Sequence, residues 1–404
     1  MPEYQSAYRP NHSCETALVK LVNDLLWNME TQKLTIIVAT DLSAAFDTVD
    51  FDITLEVMEK CFGVSGTAKD WLNTYLRPRY CKVNINNSHS TSRELHQSVP
   101  QGSCLGPVLY SCYASTLQIV IPEGVTCHGY ADDHIFKHSF IPHHSDKSSE
   151  NTAMFVLNEC ITNLRTWMNE NRLKLNVDKT EVIVTGSRQQ LLKCDKLSIN
   201  LDNNQIPINN TMKYLGVFID SSLTFKKQVQ AKCRTAMFNL LRIKRIRHLL
   251  TEDACHTLIR GLVLSHLDYC NAVYAGLPGT DIDKLQRVQN SAGKLVKNCG
   301  WYDSSTEALK ALHWLPIRAR IQYKILCMVF NCCAETSPKY LQDLLIPASS
   351  ARPGLWSARD KSRLVVPRTK LKTFADRSFS CYGPRLWNSL PESLRMSTDC
   401  LKKI

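Results

Sequence analysis

The sequence predicts an α/β domain over residues 1–222, a basic helical region over 223–335 and a loosely structured basic region over 336–404. Leu34–Thr40 is an unbroken run of apolar and β-branched residues, which is typical of a buried central strand. Further strand-like runs alternate with helical spacing as far as Ile219. From about residue 224 the apolar spacing is helical, and prolines interrupt the last region.

Charge is distributed unevenly along the chain. The net charge is +12, but residues 1–187 contain 15 Lys and Arg against 21 Asp and Glu, whereas the remainder contains 34 against 16. An acidic first part suits metal cations, and a basic second part suits a polyanion such as nucleic acid. A solvated basic surface is the alternative interpretation of the second part.

Cysteine usage and hydropathy indicate the compartment. The 17 cysteines include no CxxC pair, so we expect reduced thiols rather than a disulfide framework or a zinc ribbon. No uncharged apolar run is long enough to span a membrane, and the first residues lack the features of a signal peptide. We therefore expect an intracellular protein of the nucleus or cytoplasm that is not secreted and has no membrane partner.

An acidic pair, Asp132 and Asp133, follows Gly129-Tyr130-Ala131 between the β-prone runs Val125-Thr126-Cys127 and Ile135-Phe136. This pattern predicts a hairpin that carries both carboxylates at its tip. Adjacent acids beside an aromatic residue need a neutralising cation, and a divalent metal is the obvious candidate.

A cluster of histidines follows the acidic pair. Its members are His134, His138, His143 and His144. A metal site is one interpretation, but an exposed polar loop is favoured, because no cysteine lies at ligand spacing beside them.

Asp41 closes the first predicted strand, and small residues follow it, which lets a ligand approach the backbone closely. A helix N-cap is the alternative role for Asp41, and it is the favoured role for Asp50 and Asp52. If the strand before Asp41 neighbours the acidic hairpin, three carboxylates surround one small volume. Such hard oxygen ligands suit two Mg²⁺ ions that activate a 3′-hydroxyl and stabilise a leaving pyrophosphate.

Two polar turns are candidates for phosphate or nucleotide contacts. Proline and glycine interrupt the chain repeatedly around Gln101, and helical spacing resumes at Val108, so the loop leaves backbone N–H groups and Gln101 free for a ligand. Arg9 stands directly before Pro10, where its guanidinium could bind a phosphate. The alternatives are an ordinary turn and an ordinary surface charge.

A predicted helix from residue 226 carries many basic side chains. They are Lys226, Lys227, Lys232, Arg234, Arg242, Lys244, Arg245 and Arg247. Clustered Lys and Arg on one helix are typical of contacts with a nucleic-acid backbone.

Five motifs resemble, in order and spacing, those of reverse transcriptases. They are 41–47, Val99-Pro100-Gln101-Gly102, Tyr130-Ala131-Asp132-Asp133, 175–180 and Tyr214-Leu215-Gly216. The chain is most similar to reverse transcriptases of non-LTR retrotransposons of the LINE-like, jockey or CR1 type, also at 5–10 and at His313-Trp314-Leu315-Pro316. Each motif alone is weak evidence, whereas five in order make coincidence improbable.

The resemblance implies a right-hand polymerase fold, with an α+β palm and partial fingers followed by an all-helical thumb. It implies an RNA-directed DNA polymerase that adds dNTPs to the 3′-hydroxyl of a DNA primer on an RNA template. The implied cofactors are two Mg²⁺ ions, with Mn²⁺ as the alternative ion.

The resemblance also implies roles for residues at the centre of the site. Asp41, Asp132 and Asp133 match the catalytic, metal-binding aspartates, and the carbonyl of Leu42 matches a further metal ligand. Lys179 matches a lysine that protonates the leaving pyrophosphate.

Further residues match the nucleotide and primer contacts of the family. Phe46 matches the aromatic residue under the incoming sugar, whose bulk excludes a 2′-hydroxyl and so disfavours RNA-templated RNA synthesis. Gln101 and Gly102 match the nucleotide-contacting loop, and Arg9 matches the fingers arginine near the triphosphate. The resemblance places the primer grip at Tyr214-Leu215-Gly216 and makes the basic helix part of the thumb.

The chain begins close to the motif at 5–10. The fingers strands that precede this motif in the family, and the upstream endonuclease of LINE-like elements, are absent from the sequence. We therefore expect a truncated reading frame, with an unknown protein partner as one source of the missing parts. The alternative function is an inactive retroelement remnant that only binds nucleic acid.

Overall fold

A computed structural model describes residues 4–40, 42–43, 46–143, 146–176, 179–194, 197, 199–201, 204–300, 302–348, 362–371 and 373–396. The chain divides into two compact units. Unit 1 comprises Met1–Pro10, Leu34–Val184 and Gln189–Asn210. Unit 2 comprises Asn11–Lys33, Thr185–Arg188 and Thr211–Ile404.

Strands and helices are numbered along the described part of the chain. The strands are β1 Leu34–Thr40, β2 Leu42–Ser43, β3 Arg79–Cys81, β4 Asn84–Ile85, β5 Ser88–His89, β6 Arg93–Leu95, β7 Thr126–Tyr130, β8 Asp133–Phe140, β9 Lys174–Leu175, β10 Glu181–Thr185, β11 Ile199–Leu201, β12 Asn204–Ile206, β13 Ile208–Asn209, β14 Thr211–Tyr214 and β15 Val217–Asp220. The helices are α1 Cys14–Glu30, α2 Phe51–Phe62, α3 Thr67–Leu76, α4 Gly106–Tyr113, α5 Ser148–Glu170, α6 Arg188–Leu191, α7 Lys226–Arg245, α8 Glu252–Ile259, α9 Ser265–Asp268, α10 Gly279–Val296, α11 Ser305–Ala311, α12 Ile317–Cys333, α13 Lys339–Gln342, α14 Phe379–Ser389 and α15 Glu392–Arg395.

Unit 1 is built around a five-stranded sheet in the order β13-β10-β1-β8-β7. Strand β1 lies at its centre, and the apolar residues Leu34, Ile36 and Val38 are fully buried, which confirms the predicted central strand. β1 pairs with β8 in antiparallel register, from Leu34 opposite Phe140 to Thr40 opposite His134. The C-terminal end of β1 therefore lies beside the N-terminal end of β8.

The predicted acidic hairpin is confirmed. β7 and β8 pair in antiparallel register as far as Tyr130 opposite Asp133, which leaves Ala131 and Asp132 as a two-residue turn. Ala131 has a φ of 57°. The hairpin therefore presents the acidic pair at one end of the central sheet.

Helix α5 packs on β8. Its apolar stripe includes Leu157, Ile161 and Leu164, all of which are buried. Because these residues recur at helical spacing, they form one apolar face of α5. This face covers one side of the sheet and excludes water from it. The cysteines of the described part of the chain are free thiols, as expected.

Unit 2 contains the β14–β15 hairpin and, after it, mostly helices. Helix α11 ends at Ala311 and α12 begins at Ile317, directly after Pro316. Helix α8 is followed by a π-helical segment Arg260–Leu264, α9 and a 3₁₀ turn Asn271–Tyr274. Within 336–404, the described residues include the helices α13, α14 and α15.

No helix among the described residues is both long and apolar enough to cross a membrane.

Candidate active site and nucleic-acid interface

The acidic pair lies at the end of the central sheet of unit 1. Asp132 and Asp133 are both half-buried, at the turn of the hairpin and the first position of β8. Thr40 pairs with His134, and its hydroxyl donates a hydrogen bond to the His134 carbonyl at 3.4 Å. This pairing brings the residue before Asp41 beside the residue after Asp133. Asp41 itself lies outside the described residues.

His134 is 2% exposed, so the exposed-loop prediction is wrong for this residue. Its Nδ1 lies 3.0 Å from the carbonyl of Asp132 and, because a carbonyl can only accept, carries the proton. Burial lowers the pKa of His134, which keeps the ring neutral. His138 also belongs to β8, where its Nδ1 bonds the Gly124 carbonyl at 2.9 Å. His143 is exposed, and His144 lies outside the described residues.

The N-terminal segment of unit 1 lies along the acidic hairpin. The backbone of Tyr4 and Ser6 brackets Gly129, whose N–H donates to the Tyr4 carbonyl at 2.8 Å and whose carbonyl accepts from Ser6 at 2.9 Å. The side chain of Gln5 reaches the backbone of Ala131. The sequence motif at 5–10 thus supports the turn, a role that local pattern could not reveal.

Arg9 and Tyr8 follow on the same segment. The guanidinium of Arg9 donates to the Gln5 carbonyl at 3.2 Å, which anchors this predicted triphosphate contact close to the hairpin. The pKa of the Tyr8 phenol is raised by partial burial and by the negative charge of Asp132.

Phe46, the predicted sugar contact, stacks on Tyr110 of α4 with ring centroids 4.7 Å apart. Tyr110 is fully buried, and burial together with the charges of Asp132 and Asp133 raises its pKa. Tyr110 therefore packs directly against the predicted sugar contact. Sequence analysis missed it, because a tyrosine at helical spacing is indistinguishable from other core residues.

The loop that precedes α4 is attached to the Phe46 segment. Val99 donates its N–H to the Phe46 carbonyl at 2.8 Å, and Gln101 Nε2 donates to Asp47 Oδ1 at 3.3 Å. Gly102 has a φ of 86°, a left-handed conformation that favours glycine. Gln101 and Gly102 are both exposed, so the loop presents them to solvent beside Phe46.

The segments that carry Leu42 and Lys179 are joined by the pairing of two short strands, β2 and β9. Leu42 of β2 pairs with Leu175 of β9, four residues before Lys179. Lys179 is exposed, and its backbone N–H bonds the carbonyl of Asn176 at 3.3 Å. The structure thus brings the segment after Asp41 beside the segment that carries Lys179.

Comparison with known proteins identifies this arrangement. Residues 1–219 match the family model described as reverse transcriptase (RNA-dependent DNA polymerase). The chain belongs to the reverse transcriptase family. The α/β fold class and the resemblance to non-LTR elements that the sequence predicts are confirmed.

Two curated relatives are products of Drosophila melanogaster mobile elements. One is a probable RNA-directed DNA polymerase from transposon BS, 26% identical over 333 residues, which cover 80% of this chain and 35% of that protein. The other is the RNA-directed DNA polymerase from mobile element jockey, 24% identical over 311 residues, which cover 75% of this chain and 32% of that protein. The chain thus spans about a third of the length of these relatives.

Among solved structures, the chain is similar to apo telomerase from Candida Tropicalis. The match has 12% sequence identity and a TM-score of 0.37, and it covers 83% of this chain and 57% of that one.

Reverse transcriptases generally use divalent metal ions, and the residues at the turn suit such ions. Asp132 and Asp133 supply carboxylate oxygens, the hard ligands that Mg²⁺ prefers. Within the described residues, no group of three or more His, Cys, Asp or Glu side chains could hold a metal. Since Asp41 lies outside those residues, the third predicted ligand remains a prediction.

In unit 2, the predicted primer grip forms the turn of the β14–β15 hairpin. Tyr214 pairs with Val217, and both turn residues have positive φ, 46° at Leu215 and 74° at Gly216. The hydroxyl of Tyr269 donates to the Leu215 carbonyl at 2.8 Å. Tyr269 is a second residue that sequence analysis missed, because 54 residues separate it from the turn.

The basic side chains of unit 2 differ in their exposure and in their hydrogen bonds to the fold. Lys226, Arg234, Lys244 and Arg245 are exposed on α7. The exception is Arg247, which follows α7 and donates to three backbone carbonyls, those of Leu250, Leu295 and Val296, at 2.8 to 2.9 Å. Because these bonds use Nε, Nη1 and Nη2 of its guanidinium, Arg247 contributes to the fold, and its role at the nucleic-acid backbone stays a prediction.

Three other basic side chains of α7 lie over aromatic rings. Lys227 and Lys232 lie 4.8 Å from the ring centroids of Phe218 and Tyr269, respectively. Arg242 lies 5.7 Å from the ring of Phe238.

Proposed function

We propose that this chain is the polymerase part of a non-LTR retrotransposon protein, an RNA-directed DNA polymerase that extends a DNA primer on an RNA template. The observation that carries the proposal is the pairing of Thr40 with His134, which brings the residue before Asp41 beside the Asp132–Asp133 turn. The family match over residues 1–219 supports the same reaction.

Asp132, Asp133 and Asp41 would hold two Mg²⁺ ions, with the Leu42 carbonyl as a further ligand. When bound, such ions lower the pKa of the primer 3′-hydroxyl and neutralise charge on the phosphates. The O3′–Pα bond then forms as the bond from Pα to the pyrophosphate oxygen breaks. The hydroxyl proton passes to water, and Lys179 donates a proton to the leaving pyrophosphate.

The remaining residues bind and select the nucleotide. Phe46 packs under the sugar, and its ring leaves no room for a 2′-hydroxyl. Gln101 and Gly102 contact the nucleotide from the exposed loop, and Arg9 binds the triphosphate. These groups align the α-phosphate with the primer, which converts the transfer into an effectively unimolecular step.

A template-primed extension assay tests the proposal. The purified chain should extend a DNA primer annealed to RNA when dNTPs and Mg²⁺ are present, and chelation of Mg²⁺ should stop extension. Asp132→Asn removes one metal ligand with little change in shape, so the rate should fall by a factor on the order of 100 or more. Asp70→Asn is the matched control, because Asp70 is an exposed acid on α3.

Extension that survives Asp132→Asn would rule out the assignment of the acidic pair. If the wild-type chain binds RNA in a salt-dependent manner but does not extend a primer, the chain is a nucleic-acid-binding remnant instead.

A further inference from the structure

Gln5 makes two hydrogen bonds to one residue of the acidic turn. The N–H of Ala131 donates to Gln5 Oε1 at 2.9 Å, and Gln5 Nε2 donates to the Ala131 carbonyl at 3.1 Å. Gln5 is 1% exposed, so water does not compete for either bond. The side-chain amide thus satisfies both backbone groups of the residue before Asp132.

Ala131 needs such support because of its backbone conformation. Ala131 is the first of two turn residues and has a φ of 57°, whereas the φ of Asp132, the second turn residue, is not positive. Two-residue hairpin turns with this pattern favour glycine at the first position, because a Cβ atom is strained there. A strained residue keeps its conformation only when its surroundings hold it.

Gln5 is itself held firmly in place. Its neighbours Tyr4 and Ser6 bond both backbone groups of Gly129. Its Oε1 also accepts the N–H of Ala7 at 3.0 Å, and two N–H donors at one atom identify that atom as the oxygen. The amide is therefore aligned before any ligand binds, and 126 residues of sequence separate it from the turn.

We propose that Gln5 is a positioning residue, which holds Ala131 in its left-handed conformation so that Asp132 and Asp133 are presented together to a divalent metal. The consequence for catalysis rests on the proposed function, whereas the effect on the turn does not. The effect should be local, since Gln5 bonds the turn and its own segment rather than the core of the sheet.

Hydrogen exchange of the full-length chain tests the local effect. Gln5→Met preserves side-chain length but removes both bonds to Ala131 and the bond from Ala7, so the Ala131 amide should exchange about fivefold to tenfold faster. The amides of Ile36 and Phe136 in the sheet interior should keep their wild-type rates. Ser6→Ala is the matched control, because Ser6 is a buried residue of the same segment whose hydroxyl lies 3.2 Å from His128 Nε2.

Mn²⁺ binding without substrate tests the consequence for the metal. Titration followed by electron paramagnetic resonance should show several-fold weaker Mn²⁺ binding in Gln5→Met and wild-type binding in Ser6→Ala. Unchanged exchange at Ala131, or unchanged Mn²⁺ affinity, would overturn the proposal. A uniform rise in exchange across the sheet would also overturn it, because Gln5 would then be a general stabilising residue.

The two proposals can fail separately. If the wild-type chain does not extend a primer but Gln5→Met gives the expected exchange and Mn²⁺ results, the positioning role stands and the proposed function fails. If extension proceeds but exchange at Ala131 is unchanged, the positioning role fails and the proposed function stands.

Discussion

Thr40 and His134 pair across strands β1 and β8, and the Thr40 hydroxyl donates to the His134 carbonyl at 3.4 Å. This relationship joins two motifs that are 94 residues apart in sequence. It brings the position before Asp41 beside the acidic turn, as the sequence predicted on the condition that the two strands are neighbours.

Phe46 should determine sugar selection. Phe46→Val removes the ring that we propose to pack under the sugar, so the preference for dNTPs over rNTPs should fall by a factor on the order of 10 to 100. Competing single-nucleotide extensions measure this preference. Phe155→Val, at an exposed position on α5, is the control and should leave the preference unchanged. Equal discrimination by the Phe46 variant and wild type would contradict the role.

Tyr110 should act on selection through Phe46. Tyr110→Leu removes the ring on which Phe46 stacks at 4.7 Å, so rNTP incorporation should rise, by less than in the Phe46 variant. Tyr110→Phe should behave like wild type, because the Tyr110 hydroxyl has no hydrogen-bond partner among the described residues. A loss of discrimination in Tyr110→Phe would show that the hydroxyl, not the stacked ring, is needed.

The exposed charges of α7 should contribute to nucleic-acid affinity. Replacing Lys244 and Arg245 by alanine should weaken binding of an RNA–DNA duplex and reduce the slope of log K against log salt by about 1.5 to 2. Fluorescence anisotropy at several salt concentrations measures both quantities. The control replaces Lys310 and Arg318, two exposed basic residues outside α7. An equal change in the control would indicate only a general effect of net charge.

Arg247 should behave differently from the other basic residues. Arg247→Ala leaves three carbonyls without their donor, so the free energy of unfolding should fall by about 2 kcal/mol. Denaturant unfolding measures the loss. A variant with wild-type stability and weaker duplex binding would contradict this structural role and support the predicted role of Arg247 at the nucleic-acid backbone.

Asp220 should stabilise the connection between β15 and α7. Its carboxylate accepts the N–H groups of Ser222, Thr224 and Phe225 at 3.2, 2.9 and 2.6 Å, respectively. Asp220→Ala should lower the free energy of unfolding by about 2 to 3 kcal/mol, since bonds to a charged acceptor are strong. Asp220→Asn should lose less, because one oxygen remains. Equal losses in both variants would contradict the role of the acceptor oxygens.

Tyr269 should support the predicted primer grip. Tyr269→Phe removes the bond to the Leu215 carbonyl, so the KM for the primer–template should rise about threefold while the free energy of unfolding changes by less than about 1 kcal/mol. Tyr302→Phe is the control, because Tyr302 is 98% exposed. An unchanged KM would separate Tyr269 from primer binding.

The sequence by itself determined several of the elements and the family. Strand Leu34–Thr40 and the acidic hairpin follow from local rules, since side-chain periodicity and turn chemistry act over a few residues. The order of the motifs was sufficient for the family, because order is a property of the chain alone.

Only the tertiary structure decided which partners those elements find. Three contacts join segments that are far apart in sequence: the bonds from Gln5 to Ala131, the stacking of Phe46 on Tyr110 and the bond from Arg247 to Leu295. The burial of His134 likewise depends on how the chain folds around it. Each arises because buried polar and aromatic groups need partners, and folding, not local pattern, determines which groups are within reach.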